Sequence, residues 1–405
     1  MKILLVGQAY YRRDSGQAVF TINLAEGLAA VGHQVLVLAP SLNGHAERWQ
    51  AHGVTVQTAP AWSLIDNANI TLFSGGLVEQ TMATFQPDLV HLQDHYFLSH
   101  SVLTVAYAHH LLAVGTNHFL PENLSDNLPF AHWAHKPLDQ MLWSTMTMVY
   151  NQLQAVATPT ETAAAILRTQ GIHVPVTAIS CGVDVHRFQP RPGLERSPIR
   201  KRYGLAPDKI TFCYIGRLAR EKDLGLMIRA FAQLDRQDIQ LAIGGKGGIR
   251  PELEALCQSL ALGNKVSFMG FVADADLPLL LNSVDLFVMP SHAELQSIAT
   301  LEAMASGLPV LAANARALPE LVEEGVSGSL FEAGNCADAA HKMDLFLRHQ
   351  ADWPAMGAAS RRKAEGHAHE MVVAKYLQWY AEAGRWQQIR LDVSEVLRQR
   401  SFLPQ

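Results

Sequence analysis

One rhythm dominates this chain: a short apolar run, a polar or glycine-bearing loop, a helical pattern, and then another apolar run. In the first half, Ile3–Gly7, Gln34–Ala39, Val54–Thr58, Leu89–Leu92, Val114–Asn117 and Val156–Thr158 read as short buried strands. Between the first two, Val19, Ile22, Leu24, Leu28 and Val31 recur near helical spacing, and Gly32 stands where a helix stops. Strands alternating with helices imply a parallel sheet covered on both faces.

The rhythm breaks over 180–208. There Pro190, Pro192, Pro198 and Pro207 are interleaved with Arg187, Arg191, Arg196, Arg200, Lys201 and Arg202. The stretch reads as a linker with a short basic helix; its charges could meet phosphate or an anionic surface, and a solvated face is the expectation. The rhythm then restarts, with strands expected at Ile210–Gly216, Gln240–Gly244, Val266–Gly270, Leu286–Pro290 and Pro309–Ala313 and helices over 223–234, 251–262, 275–282 and 297–306. From about 335 the pattern is helical to the end. The expectation is an α/β chain of two doubly wound, Rossmann-like domains facing across a cleft. They span 1–185 and 186–369, the first completed by helices from about 370 to 405. Open parallel sheets bind ligands beyond the carboxyl ends of their strands, so residues just after strands are the ones to weigh.

Composition narrows the class. Of 405 residues 49% are hydrophobic and 17% charged, enough apolar material for two cores. A formal charge of -5 gives no attraction for nucleic acid. Cys181, Cys213, Cys257 and Cys336 form no CxxC and read as buried thiols of a reducing compartment. The first apolar run is too short for a signal peptide, and no run is long enough to span a bilayer. A cytoplasmic protein is expected, soluble or peripheral at the membrane face.

Residues 290–313 carry the strongest chemical signal. A strand ends at Pro290, a polar loop follows, and a helix starts near Ser297. Glu294 stands in the loop, where a carboxylate can accept hydrogen bonds from sugar hydroxyls. Glu302 lies inside the helix, where it can accept from a ribose diol. The backbone N–H groups of Gln296, Ser297 and Ile298 suit a diphosphate at the helix start. Glu302 lies among Leu301, Ala303 and Met304, which argues against an ordinary surface glutamate.

Tyr-Ile-Gly-Arg-Leu-Ala-Arg-Glu-Lys-Asp at 214–223 places Arg217 and Lys222 in the loop after a strand. Two cations there can neutralise a departing diphosphate. Gly244-Gly245-Lys246-Gly247-Gly248 follows the next strand, and its glycines allow close backbone approach. Such a turn alone is weak evidence for phosphate binding. In the first half, Asp14-Ser15-Gly16-Gln17 opens a helix, with Gly16 small enough for a ligand to approach. His118 follows a strand in Thr-Asn-His-Phe; His91 and His95 flank the preceding strand end and rank below it. Asp274-Ala275-Asp276 has the form of a metal-holding D-x-D, but at a helix start it reads as a cap.

Glu294 and Glu302, separated by seven residues and followed by Ala-Met-Ala-Ser-Gly-Leu-Pro-Val, resemble glycosyltransferase family 4, of the two-domain GT-B fold. The matching motifs run from residue 3 to about 331. The resemblance implies a retaining, metal-independent transfer of a hexose from a UDP- or GDP-sugar, with no cofactor. It assigns Glu294 to the donor hexose, Glu302 to the ribose, and Arg217 and Lys222 to the diphosphate. Gly244 and Gly245 border the nucleotide, the backbone at Gly270–Val272, including Val272, holds the base, and His118 contacts the sugar near its anomeric carbon. The family usually has paired glycines where this chain has Ser15-Gly16, and often aromatic, Thr or Gly residues at the positions of Leu295 and Ser297.

Thr116–Asn123 resembles a segment of bacterial glycerolipid and phosphatidylinositol glycosyltransferases. After it, 130–153 carries Trp133, Leu138, Met141, Leu142, Trp143, Met146, Met148 and Val149, with Lys136 as its one full positive charge. That stretch fits either a membrane-surface helix or a core helix. A membrane glycerolipid such as diacylglycerol is the leading acceptor. A soluble sugar, small-molecule or polysaccharide acceptor is the alternative. A non-catalytic sugar-nucleotide-binding protein is a third reading, although it would need neither Glu294 nor His118.

Overall fold

The computed structural model describes residues 1–8, 10, 15–65, 68–71, 74–125 and 132–400. The chain forms two compact units. One comprises Met1–Phe119, Gln140–Ile179 and the chain from Glu370 on; the other comprises Leu120–Asp139 and Ser180–His369.

Among the described residues the first unit is built on ten strands: β1 (Lys2–Val6), β2 (Gln34–Pro40), β3 (Arg48–Ala51), β4 (Val54–Ala59), β5 (Trp62–Ile65), β6 (Ala68–Ile70), β7 (Leu89–Leu92), β8 (Leu112–Thr116), β9 (Ala155–Thr158) and β10 (Val176–Ala178). Eight of them form one sheet, in the order β10-β9-β8-β7-β1-β2-β4-β3; β5 and β6 make a separate hairpin. Within the large sheet only β3 runs antiparallel to its neighbour. Ile3, Leu4, Leu5 and Val6 of β1 are all fully buried, because helices cover both faces. The strand order reverses between β1 and β7. The helix from His369 returns to this unit and packs Tyr376, Trp379 and Tyr380 against His91. His91 is fully buried. Its Nδ1 bonds the Tyr380 hydroxyl at 2.8 Å and its Nε2 the Thr116 hydroxyl at 2.7 Å.

Among the described residues the second unit has six strands: β11 (Ile210–Ile215), β12 (Ile239–Gly244), β13 (Val266–Gly270), β14 (Leu286–Met289), β15 (Val310–Asn314) and β16 (Gly328–Glu332). All pair in parallel, in the order β13-β12-β11-β14-β15-β16. This is the doubly wound Rossmann order, whose reversal falls between β11 and β14.

The basic proline-rich stretch departs from its reading as a solvated linker. Val183, Val185 and Phe188 enter the core of the second unit. Arg200 is buried; its guanidinium donates to the carbonyls of Ser283, Ala206, Pro207 and Lys209 and to Asp285 Oδ2. Asp285 also pairs with Arg196 at 2.7 Å, so two arginines of the stretch fasten it to the loop that precedes β14. All four cysteines are free, and three are buried. Among the described residues no helix is long and apolar enough to cross a membrane.

Candidate active site

The order reversal of the second unit brings together the loops that follow β11 and β14. After β11 the chain makes a tight turn at Arg220–Lys222. Glu221, in this turn, has no solvent exposure, and its carboxylate pairs with Arg217 Nη2 at 2.5 Å. The Glu221 carbonyl accepts from Ser291 Oγ at 3.0 Å and from His292 N at 3.2 Å, which ties the two loops together. The Tyr214 hydroxyl donates to the Arg217 carbonyl at 2.8 Å. Burial, then the charges of Glu294 and Glu221, hold that phenol well above its ordinary pKa. Across the reversal, Lys222 Nζ meets Glu294 Oε1 at 2.5 Å, with side-chain exposures of 16% and 12%. The structure thus joins the two charged residues that the sequence singled out separately. Sequence reasoning missed Glu221 and Tyr214: both brace Arg217 from within the same segment, and only the bonds to the Glu221 carbonyl depend on which strands are neighbours.

The glycine loop after β12 owes its composition to protein packing. A Cβ on Gly245, whose φ is +135°, would lie 1.7 Å from the Gly216 carbonyl oxygen, and one on Gly247 would lie 1.9 Å from that of Leu218. Backbone bonds from Gly216 N to Gly244 O and from Leu218 N to Lys246 O zip this loop to the one bearing Arg217. Lys246 places its ammonium 5.1 Å from the Phe271 ring, a cation–π contact beside the exposed end of β13. Val272 is buried in the core.

The helix Ile298–Ala305 starts one residue after Ser297, whose hydroxyl caps it by accepting from Thr300 N. Glu302 lies within this helix, partly buried, beside the fully buried Leu301 and Ala303. The Gln296 side chain is buried, and its Oε1 accepts from Cys181 N at 2.7 Å and Ser180 Oγ at 3.1 Å. The expected cap at Asp274-Ala275-Asp276 takes another form. Asp276 occupies the N-cap position of Leu277–Leu281 without a side-chain cap bond; its carboxylate accepts instead from Arg202 and Tyr203. Asp274 pairs with Arg187 at 2.8 Å. The nearby arginines outcompete backbone N–H groups for both carboxylates, since charge-assisted bonds are stronger.

In the first unit, β1 and β7 flank the order reversal. Asp94, after β7, is buried. Its Oδ2 accepts from Gln8 N and Gln17 Nε2, and its Oδ1 from Ser99 Oγ and Tyr96 N. Burial raises its pKa, and these four bonds oppose that rise. Ser15 caps the helix Gly16–Ala30 by accepting from Ala18 N, and Gly16 is its exposed first residue; Asp14 lies outside the described residues. His118 Nε2 donates to Gln93 Oε1 at 3.2 Å, and its ring lies 4.4 Å from that of Phe20. Burial lowers its pKa to about 3, so it is neutral at pH 7. His95, packed among Tyr96, Phe119 and Tyr150, is lowered by burial to about 4.

Comparison with known proteins agrees along the length of the chain. The family model described as Glycosyl transferases group 1 matches residues 195–363, and that described as Glycosyltransferase Family 4 matches residues 15–187. The chain is 26% identical to a GDP-mannose-dependent alpha-mannosyltransferase of Corynebacterium glutamicum, over 94% of this chain and 89% of that protein. It is 23% identical to an alpha-monoglucosyldiacylglycerol synthase of Streptococcus pneumoniae, over 82% and 75%. Among solved structures, sucrose-phosphate synthase from Thermosynechococcus elongatus superposes with a TM-score of 0.79 at 20% identity, covering 94% of this chain and 98% of that one. Anabaena HepE in complex with UDP-glucose gives 0.75 at 20% identity, covering 93% and 99%. Those likenesses identify the GT-B fold. With both family models matched in sequence order, the chain belongs to the family 4 glycosyltransferases and is an enzyme that transfers a sugar from a nucleotide-sugar donor.

Proposed function

We propose that the chain is a retaining, metal-independent hexosyltransferase whose donor is a UDP- or GDP-hexose and whose acceptor is the free hydroxyl of a membrane glycerolipid such as diacylglycerol. The observation that carries the donor reading is the Lys222–Glu294 pair at the strand-order reversal, with Arg217 of the same loop paired to buried Glu221. Arg217 and Lys222 stabilise the charge that develops on the departing diphosphate, a task metal ions perform in other transferases. Glu294 accepts from a donor hydroxyl, Glu302 takes the ribose diol, and the backbone near Val272 and Gly244 borders the nucleotide. His118 supplies a neutral imidazole to the sugar.

The acceptor oxygen forms its bond to the anomeric carbon on the face from which the diphosphate leaves. The carbon–oxygen bond to phosphate breaks, and the acceptor proton passes to the departing phosphate oxygen. The enzyme's part is orientation and charge stabilisation. Glu294→Ala, Arg217→Ala and Lys222→Ala should each abolish transfer of labelled sugar while the fold survives. Near-normal turnover in all three contradicts the reading. Activity that survives a chelator supports metal independence.

The lipid acceptor is supported by the name of the pneumococcal relative and by the helix His132–Tyr150. That helix exposes Met141 and Met148, seven residues apart and so on one face. Flotation with liposomes, together with transfer to diacylglycerol in them, is the expected result. Transfer to a soluble sugar without flotation would replace the lipid by a soluble acceptor.

A further inference from the structure

Ser297 holds φ 81° and ψ 91°, a backbone conformation that residues with a Cβ rarely adopt. Such strain persists only where the surroundings fix the residue from both sides. On the C-terminal side its hydroxyl accepts from Thr300 N and lies 2.8 Å from Thr300 Oγ1. On the N-terminal side stands Gln296, 3% exposed, gripping Cys181 N and Ser180 Oγ. A buried amide costs stability unless it is hydrogen-bonded, and here the partners are backbone and hydroxyl of one short segment. That segment is itself fixed. Ser180 Oγ bonds His367 Nδ1 at 2.8 Å and accepts from Gly182 N; Val183 N donates to His367 O, and His369 N to Val183 O. The chain re-enters the second unit at Ser180 and leaves it for the last time at His369, so the anchor lies where the ends of this long segment pair. Glu294 is two residues before Gln296, and its charge adds to burial in raising the Cys181 thiol to about 12, so carboxylate and anchor are neighbours.

We propose that Gln296 is a positioning residue for transfer: by gripping Ser180–Cys181 it holds Ser297 in its left-handed conformation and thereby sets where the Glu294 carboxylate meets the donor sugar. The inference rests on the reading of Glu294 as the donor-sugar contact. It departs from the expectation that residue 296 serves the donor through its backbone N–H.

Steady-state kinetics of the full chain test it. Gln296→Met, close in size but without the accepting oxygen, should raise the donor KM on the order of 10- to 100-fold and leave the acceptor KM unchanged. Gln296→Glu keeps accepting oxygens and should retain most of the activity. Glycine takes positive φ without strain, so adding Ser297→Gly to Gln296→Met should recover much of the lost donor affinity. Ser180→Ala, which removes one of the two donors to Gln296, is the milder second variant and should raise the donor KM in the same direction. An unchanged donor KM in Gln296→Met and Ser180→Ala overturns the proposal. So does a loss that affects both substrates equally, follows the melting temperature and is not recovered by Ser297→Gly. If Glu294→Ala also leaves the donor KM unchanged, the site reading itself falls. If Glu294→Ala abolishes transfer and Gln296→Met does not, only the positioning role falls.

Discussion

Glu221 shows how a residue can matter to a site without touching a ligand. Its carboxylate has no exposure, holds Arg217, and sits next in sequence to Lys222, while its carbonyl receives Ser291 and His292 from the facing loop. Glu221→Gln keeps the size and removes the charge that holds the guanidinium. The expected result is a higher donor KM with the acceptor KM unchanged; kinetics indistinguishable from the parent would show that Arg217 needs no such support. Arg217, Lys222 and Glu294 were legible in the sequence because each is a charged residue in a loop that follows an apolar run, where a parallel sheet presents its loops. Glu221, Tyr214 and Asp94 were not. The Glu221 carbonyl and Asp94 join loops of neighbouring strands that no local pattern pairs, and Tyr214 braces Arg217 from a buried strand position that reads in sequence only as core.

At the scale of elements, the central strands were legible as continuous apolar runs because both faces of each sheet are covered. Of the edge strands β13 was legible, but β3, β10 and β16 were not. β3 is only partly buried, and β16 mixes Gly328 and Ser329 with Phe331, so neither makes an apolar run. The glycine loop was legible as a close approach, but its contact is the protein's own backbone at Gly216 and Leu218. The basic stretch hid a structural arginine among solvent-facing ones. Arg200 satisfies four carbonyls and Asp285, whose other oxygen bonds Arg196 and whose Oδ2 also accepts from Thr211 N. Arg200→Met should destabilise the chain by about 2–4 kcal/mol, because it leaves several buried carbonyls without a donor while Asp285 keeps Arg196 and Thr211 N. Lys201, exposed in the same helix, should tolerate the same change within about 0.5 kcal/mol. Chemical denaturation of the two variants provides the comparison, and equal effects would show that Arg200 is not the anchor.

For the molecule as a whole, the two units differ in their response to acid. His91 and His118 are held to about 3 and His95 to about 4, chiefly by burial, and all three belong to the first unit. They stay neutral in the fold and take up protons when unfolded, where the ordinary value is 6.5. Stability is therefore fully present above pH 6.5 and declines as pH falls toward 4, by roughly 1 kcal/mol per pH unit for each group. Asp94, raised by burial, works in the opposite direction, one group against three. Hydrogen exchange at falling pH should open the first unit before the second; simultaneous opening would contradict this. The alternation of strands and helices revealed two doubly wound sheets, but not the order β13-β12-β11-β14-β15-β16 that places Lys222 against Glu294.

That placement is the central claim, and nucleotide binding tests it directly. Thermal shift should be recorded with UDP, GDP and their hexose conjugates for the parent chain, Lys222→Met and Glu294→Gln. A ligand that binds only the folded state raises the melting point. The parent should be stabilised by one nucleotide series, and more by the sugar conjugate than by the bare diphosphate. Lys222→Met should lose the response to both, and Glu294→Gln only the extra response to the sugar. Responses in both variants equal to those of the parent would contradict a donor site at the β11–β14 reversal.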